Sequence, residues 1–164
     1  MLSAPIELAE SFLITGASGL LGANLVLVAR QYGKDVTAIY HQHKFMAPDV
    51  TSLQVDLSDK RLIDDLFEQI RPDWIIHCAA MTNVDWCEEN PADAYRINGE
   101  ISHNLAMAAH RIDAGFVYIS TDSVFDGKRG FYSETRRFNK SAGSGSWAGN
   151  FGLLPGEANK ISVE

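Results

Sequence analysis

The densest chemistry in the sequence lies in a run of small residues, Gly16-Ala17-Ser18-Gly19-Leu20-Leu21-Gly22, which directly follows the apolar run Phe12–Thr15 and opens a helix-length segment. A strand that turns straight into a helix brings backbone N–H groups and the positive end of the helix dipole to one point, where an anion such as a diphosphate is favoured. Gly16 permits the tight turn, Gly19 lets a phosphate approach the backbone, and Gly22 lets the helix pack close to the sheet. The candidate contacts are therefore Gly16, Ser18, Gly19, Leu20, Leu21 and Gly22. With a strand before, a helix after and further strand–helix units downstream, the run points to a bound dinucleotide. A strand-to-helix turn with no ligand is the alternative.

The end of the second strand reads Tyr40-His41-Gln42-His43-Lys44, without the acidic residue that usually accepts a hydrogen bond from an adenosine 2'-hydroxyl. Asp35 precedes that strand, on the wrong side. Tyr40 and Lys44 are the candidates here. Because Lys44 or a histidine could approach a 2'-phosphate, the sequence leans toward NADP over NAD; a solvated loop with no cofactor contact is the other reading. His41 and His43 have no apparent third ligand, and Cys78 and Cys87 have no metal-type spacing, so no metal site is expected. Cys78 has no apparent base and reads as a packing residue. Ser120, Thr121 and Asp122 close the apolar run from Phe116, which places hydroxyls and a carboxylate at the carboxyl end of a parallel strand, where open α/β sheets bind ligands. They could equally end the strand and start a turn.

The elements that must hold these residues follow from periodicity. Apolar runs of strand length alternate with amphipathic helix-length segments, the pattern of parallel strands joined by crossover helices. Strands are expected at 12–15, 36–40, 53–55, 74–78 and 116–120, in the order 3-2-1-4-5. Helices are expected at about 20–32, closed by Gly33; from a Ser58 cap through Ile70, with Leu62, Ile63, Leu66, Phe67 and Ile70 on one face; and at 92–111. The fold class is thus α/β, a Rossmann-type doubly wound parallel sheet. A chain of 164 residues with 46% hydrophobic side chains can bury one substantial core. A net charge of −7 and the lack of any Lys/Arg cluster oppose a nucleic-acid partner. No stretch resembles a secretory signal or approaches a membrane span, and a reducing cytoplasm is the expected compartment.

The G-x-x-G-x-x-G spacing resembles that of the extended short-chain dehydrogenase/reductase superfamily, and further segments resemble its dTDP-4-dehydrorhamnose reductase family. These are Asp56-Leu57; His77-Cys78-Ala79-Ala80-Met81-Thr82-Asn83-Val84-Asp85; Asn98 within Arg96-Ile97-Asn98-Gly99; and Tyr118-Ile119-Ser120-Thr121-Asp122-Ser123-Val124-Phe125-Asp126-Gly127. The resemblance implies that Asp56 and Leu57 contact the adenine, and that Ala79, Ala80, Met81 and Thr82 pass beneath the nicotinamide ribose. It implies that Thr121 hydrogen-bonds the substrate carbonyl, and that Asp122 and Ser123 line the substrate site of a nucleotide-linked 4-keto-6-deoxy sugar. Ser123 stands where the family usually has a tyrosine, which leaves substrate identity open. For Asp56 a turn start, and for Asn98 a cap or a helix-surface role, are the readings without a ligand.

The resemblance runs from about Ser11 to Thr135. The family's proton-donating tyrosine and the lysine four residues later, spaced to share a helix face, are expected about two dozen residues after the Ser-Thr-Asp segment. Ser144 to Asn150 contains neither, Tyr132 has Arg136 at that spacing, and Tyr40 with Lys44 lies at the adenosine end. Residues 141–156 hold five glycines, three serines and a proline and read as coil. The expectation is a dinucleotide-binding domain at 1–135 and an atypical tail at 136–164, with a sheet incomplete at its C-terminal side, by frame change, truncation or divergence. Each large apolar side chain left wet would forfeit roughly 1.5 to 3 kcal/mol, so a marginal protein is expected unless the tail, a second copy or a partner covers that face. Three functions stay open: the cofactor half of an NAD(P)-dependent reductase, inactive alone; a non-catalytic dinucleotide-binding regulatory module; or an inert truncated product.

Overall fold

The computed structural model describes residues 10–120. Five strands, β1 (Ser11–Thr15), β2 (Asp35–Tyr40), β3 (Thr51–Gln54), β4 (Trp74–His77) and β5 (Gly115–Tyr118), form one parallel sheet in the order β3-β2-β1-β4-β5. This is the Rossmann-type order expected from the alternation of apolar runs. Helices α1 (Leu20–Gln31), α2 (Lys60–Ile70), α3 (Val84–Glu89), α4 (Pro91–Tyr95) and α5 (Ile101–Arg111) connect them.

Side chains of a strand alternate between faces, so one apolar run feeds two cores. Leu13, Ile39 and Ile75 pack with Ile63, Leu66 and Phe67 of α2 and Leu105, Ala108 and Ala109 of α5. Their neighbours Ile14, Val36 and Ala38 turn to the other face and meet Ala17 and Val26 at α1. At Gly115 the Trp74 ring lies so close that an added Cβ would fall 2.3 Å from its Cε3 atom, which explains a glycine inside β5.

Four details differ from the expectations. The cap of α2 is Asp59, whose carboxylate accepts from the Arg61 amide at 2.9 Å, and not Ser58; the Ser58 amide instead donates to Asp56 Oδ1 at 2.9 Å. Leu62 is 43% exposed and leaves the buried face to Ile63, Leu66 and Phe67. The stretch after β4, expected to be loop as far as Pro91, contains α3, capped by Asn83 accepting from the Trp86 amide at 2.9 Å. The expected continuous helix 92–111 is α4 and α5 joined by a π-helical segment, Arg96–Glu100. Strand ends shift by a residue or two, the usual scatter where pairing frays. Among the described residues no helix is long and apolar enough to cross a membrane.

Candidate functional site

All five strands point their carboxyl ends to one edge, and the described candidate residues collect there because each ends or follows a strand. Gly16 ends β1 with φ +68°, a conformation glycine adopts without strain. A Cβ on Gly16 would sit 2.7 Å from the Ala79 nitrogen, and one on Gly22 would sit 2.2 Å from the Gly16 carbonyl oxygen. Gly22 thus makes room for the turn itself, which is what seats α1 against the end of β1. The turn is closed by the Gly19 amide donating to the Gly16 carbonyl at 2.9 Å and the Ala17 amide donating to the Ile39 carbonyl at 3.0 Å.

The first bond of α1 runs from the Ala23 amide to the Gly19 carbonyl at 3.0 Å, so the amides of Leu20, Leu21 and Gly22 precede the helix ladder. Gly19 supplies no capping side chain, and the first turn carries no acidic residue. Ser18, Gly19, Leu20 and Leu21 are exposed. Amides ahead of the helix ladder, a positive helix end and no carboxylate in the first turn are the features that favour an anion at this point.

At the β2–β3 side, Tyr40 is half-buried and Lys44 exposed, while the Gln54 amide donates to the His41 carbonyl at 2.8 Å. Asp56 is exposed and Leu57 half-buried against the α2 core. The Ser58 hydroxyl and amide hydrogen-bond the Asp56 carboxylate and hold its pKa below the ordinary value, helped by the charges of His41 and Arg96. Asp56 therefore does start a turn, and it presents an ionised carboxylate on the same edge as His41. Among the described residues no group of three His, Cys, Asp or Glu side chains could hold a metal ion.

Beyond β4, Ala79 lies against the glycine turn and Ala80 and Thr82 are exposed. Met81 is held at both backbone atoms: Asn98 Oδ1 accepts from its amide at 2.8 Å and Asn98 Nδ2 donates to its carbonyl at 3.0 Å. Asn98 is 3% exposed and sits in the π-helical segment, so it neither caps nor decorates a helix surface. Burial pushes the Cys78 thiol up to about 11, as befits a packing residue beside the α1 core. Thr121, Asp122 and Ser123 lie outside the described residues, immediately after Ser120.

Reading residues singly misses a buried polar group beneath the glycine turn. Thr15 Oγ1 and His77 Nδ1 are 2.7 Å apart, His77 Nε2 and Ser102 Oγ 2.9 Å, and Ser102 Oγ donates to the Asn98 carbonyl at 2.7 Å. The Ala79 amide donates to Thr15 Oγ1 at 3.3 Å. Thr15, His77, Asn98 and Ser102 are all at most 3% exposed. The available signal was the placement of polar residues at the ends of two apolar strand runs, Thr15 after Ile14 and His77 after Ile76.

Comparison with known proteins shows what this arrangement is similar to. The model of the RmlD substrate binding domain family matches residues 10–144. A probable low-salt glycan biosynthesis reductase, Agl14, of Haloferax volcanii is 39% identical over 122 residues, 74% of this chain and 40% of that protein. The crystal structure of a hypothetical dTDP-4-dehydrorhamnose reductase from Sulfolobus tokodaii superimposes with a TM-score of 0.74 at 37% identity, covering 85% of this chain and 50% of that one. A dTDP-4-dehydrorhamnose reductase from Bacillus anthracis, solved in complex with NADP, matches at TM-score 0.62 and 34% identity over 75% of this chain and 40% of that one. The chain thus spans between two fifths and half of the length of these relatives.

Proposed function

Because the chain belongs to the RmlD substrate binding domain family, we propose that it is the dinucleotide-binding half of an NAD(P)-dependent reductase of a nucleotide-linked 4-keto-6-deoxy sugar. The observation that carries this reading is the cradle at Gly16–Gly22, where two of the three glycines leave no room for a Cβ and the helix end beyond them has no cap. In this reading the amides of Ser18, Leu20 and Leu21 hold the diphosphate, Gly19 lets it approach the backbone, and Gly16 and Gly22, packed too closely for a Cβ, shape the turn around it. Asp56 and Leu57 lie against the adenine, Tyr40 and Lys44 flank the adenosine ribose, and Ala79, Ala80, Met81 and Thr82 floor the nicotinamide end. The absence of an acid after β2 and the exposed Lys44 favour NADP over NAD.

A bound reduced nicotinamide supplies a hydride. The residues that follow β5 supply the rest of the substrate site: Thr121 donates a hydrogen bond to the ketone oxygen, and Asp122 and Ser123 line the pocket. Within residues 121–164 the single tyrosine, Tyr132, is followed four positions later by Arg136 rather than lysine. We therefore assign dinucleotide binding without turnover to this chain, with the binding domain at 1–135 and the tail at 136–164.

Gly19 offers the cleanest test. Its backbone is extended, and a Cβ there would stand 3.2 Å from the Gly16 carbonyl, a contact the turn absorbs by a few tenths of an ångström, while the methyl would stand where the phosphates approach. Gly19→Ala should remain folded and bind NADPH at least about tenfold more weakly. Native affinity in the folded variant would contradict the cradle.

A further inference from the structure

The direction of every hydrogen bond in the buried group beneath the glycine turn can be deduced. A carbonyl oxygen only accepts, so the Ser102 hydroxyl spends its one proton on the Asn98 carbonyl. Toward His77 Nε2, Ser102 Oγ must then accept, which puts the ring proton on Nε2. A neutral imidazole with Nε2–H has a bare Nδ1, so the Thr15 hydroxyl donates to it and keeps a lone pair for the Ala79 amide. Burial drives the imidazole to its neutral form. The ring of contacts then closes. One end reaches Ala79 through Thr15; the other reaches Asn98, whose side chain grips Met81.

We propose that His77, locked as its Nε2–H tautomer between Ser102 and Thr15, is a positioning residue that holds the Ala79–Met81 loop against the glycine turn. The geometry favours this over simple filling of the core. The opposite tautomer would donate from Nδ1 to Thr15 and leave Nε2 and the Ser102 hydroxyl facing each other with no proton between them, unless Ser102 abandons Asn98. Tyr118, whose phenol also interacts with Ser102 and whose ring stacks on His77 with centroids 5.6 Å apart, holds the imidazole from β5. Gly16 lies against the Ala79 backbone with no room for a Cβ, so a small shift of the loop that the relay holds would alter the phosphate turn directly. The consequence for affinity rests on the dinucleotide reading above; the relay itself does not.

The test uses the full 164-residue chain labelled with nitrogen-15. Long-range proton–nitrogen spectra of the native protein at neutral pH should show His77 protonated at Nε2 and bare at Nδ1; the reverse assignment overturns the proposal. Ser102→Ala should speed hydrogen exchange at the Ala79 amide, which Ser102 does not touch, and Thr15→Val should do the same. Each should weaken NADPH binding by about tenfold, the cost of one buried hydrogen bond, with the double variant little worse than either. Thr15→Ser restores the hydroxyl and should recover the affinity. Native Ala79 exchange and native affinity in folded Ser102→Ala and Thr15→Val would overturn the proposal. If the native chain binds neither NADPH nor NADH, the dinucleotide reading fails, and the relay stands or falls on the ring tautomer and Ala79 exchange.

Discussion

His77 carries two consequences, one for position and one for stability. Burial lowers its pKa from 6.5 to about 4, so the fold favours the neutral ring that the relay requires. The unfolded chain takes up a proton as pH falls below 6.5 and the folded chain does not, so stability present above that pH is lost progressively down to about pH 4. The full loss is on the order of 3 kcal/mol. The carboxylates of Asp56, Asp64 and Asp73, all held below 3.8 in the fold, act lower on the pH scale. Urea midpoints measured from pH 8 to pH 4.5 should therefore fall steadily below about 6.5, and His77→Gln should flatten that fall even if it lowers every midpoint. A midpoint that stays level in the native chain across this range would refute the assignment.

At the scale of elements, α2 shows how a helix boundary is chosen between two adjacent capping residues. Ser58 and Asp59 both suit an N-cap, but Ser58 is drawn into the turn that Asp56 starts, leaving Asp59 to accept from Arg61. Asp59→Ala should cost about 1 kcal/mol of unfolding free energy in urea titrations, and Ser58→Ala distinctly less. The reverse order would return the cap to Ser58. The strands and the three long helices were legible because burial imposes a period on their sequences: Leu13 and Ile14 serve opposite faces, and Ile63, Leu66 and Phe67 recur at helical spacing. Helix α3 was not, since six residues are too few to show a period and only Cys87 among them is buried. The π-helical segment was hidden as well, because one extra residue in a turn leaves no mark on composition. At the site, the glycine turn was legible from spacing alone. The relay was not, for Thr15 and His77 are 62 positions apart and meet only through strand register.

For the molecule as a whole, parallel topology brings the glycine turn, Asp56, Ala79–Met81 and the end of β5 to a single edge, although they are scattered over about a hundred residues. Among the described residues β5 pairs only with β4, and its four residues are all half-buried. The decisive measurement is a calorimetric titration of the folded 164-residue chain with NADPH and with NADH, followed by addition of a dTDP-linked 4-keto-6-deoxy sugar. Saturable one-to-one binding, tighter for NADPH, with no oxidation after the sugar is added is the expected result. A folded chain that ignores both dinucleotides at millimolar concentration would contradict the account.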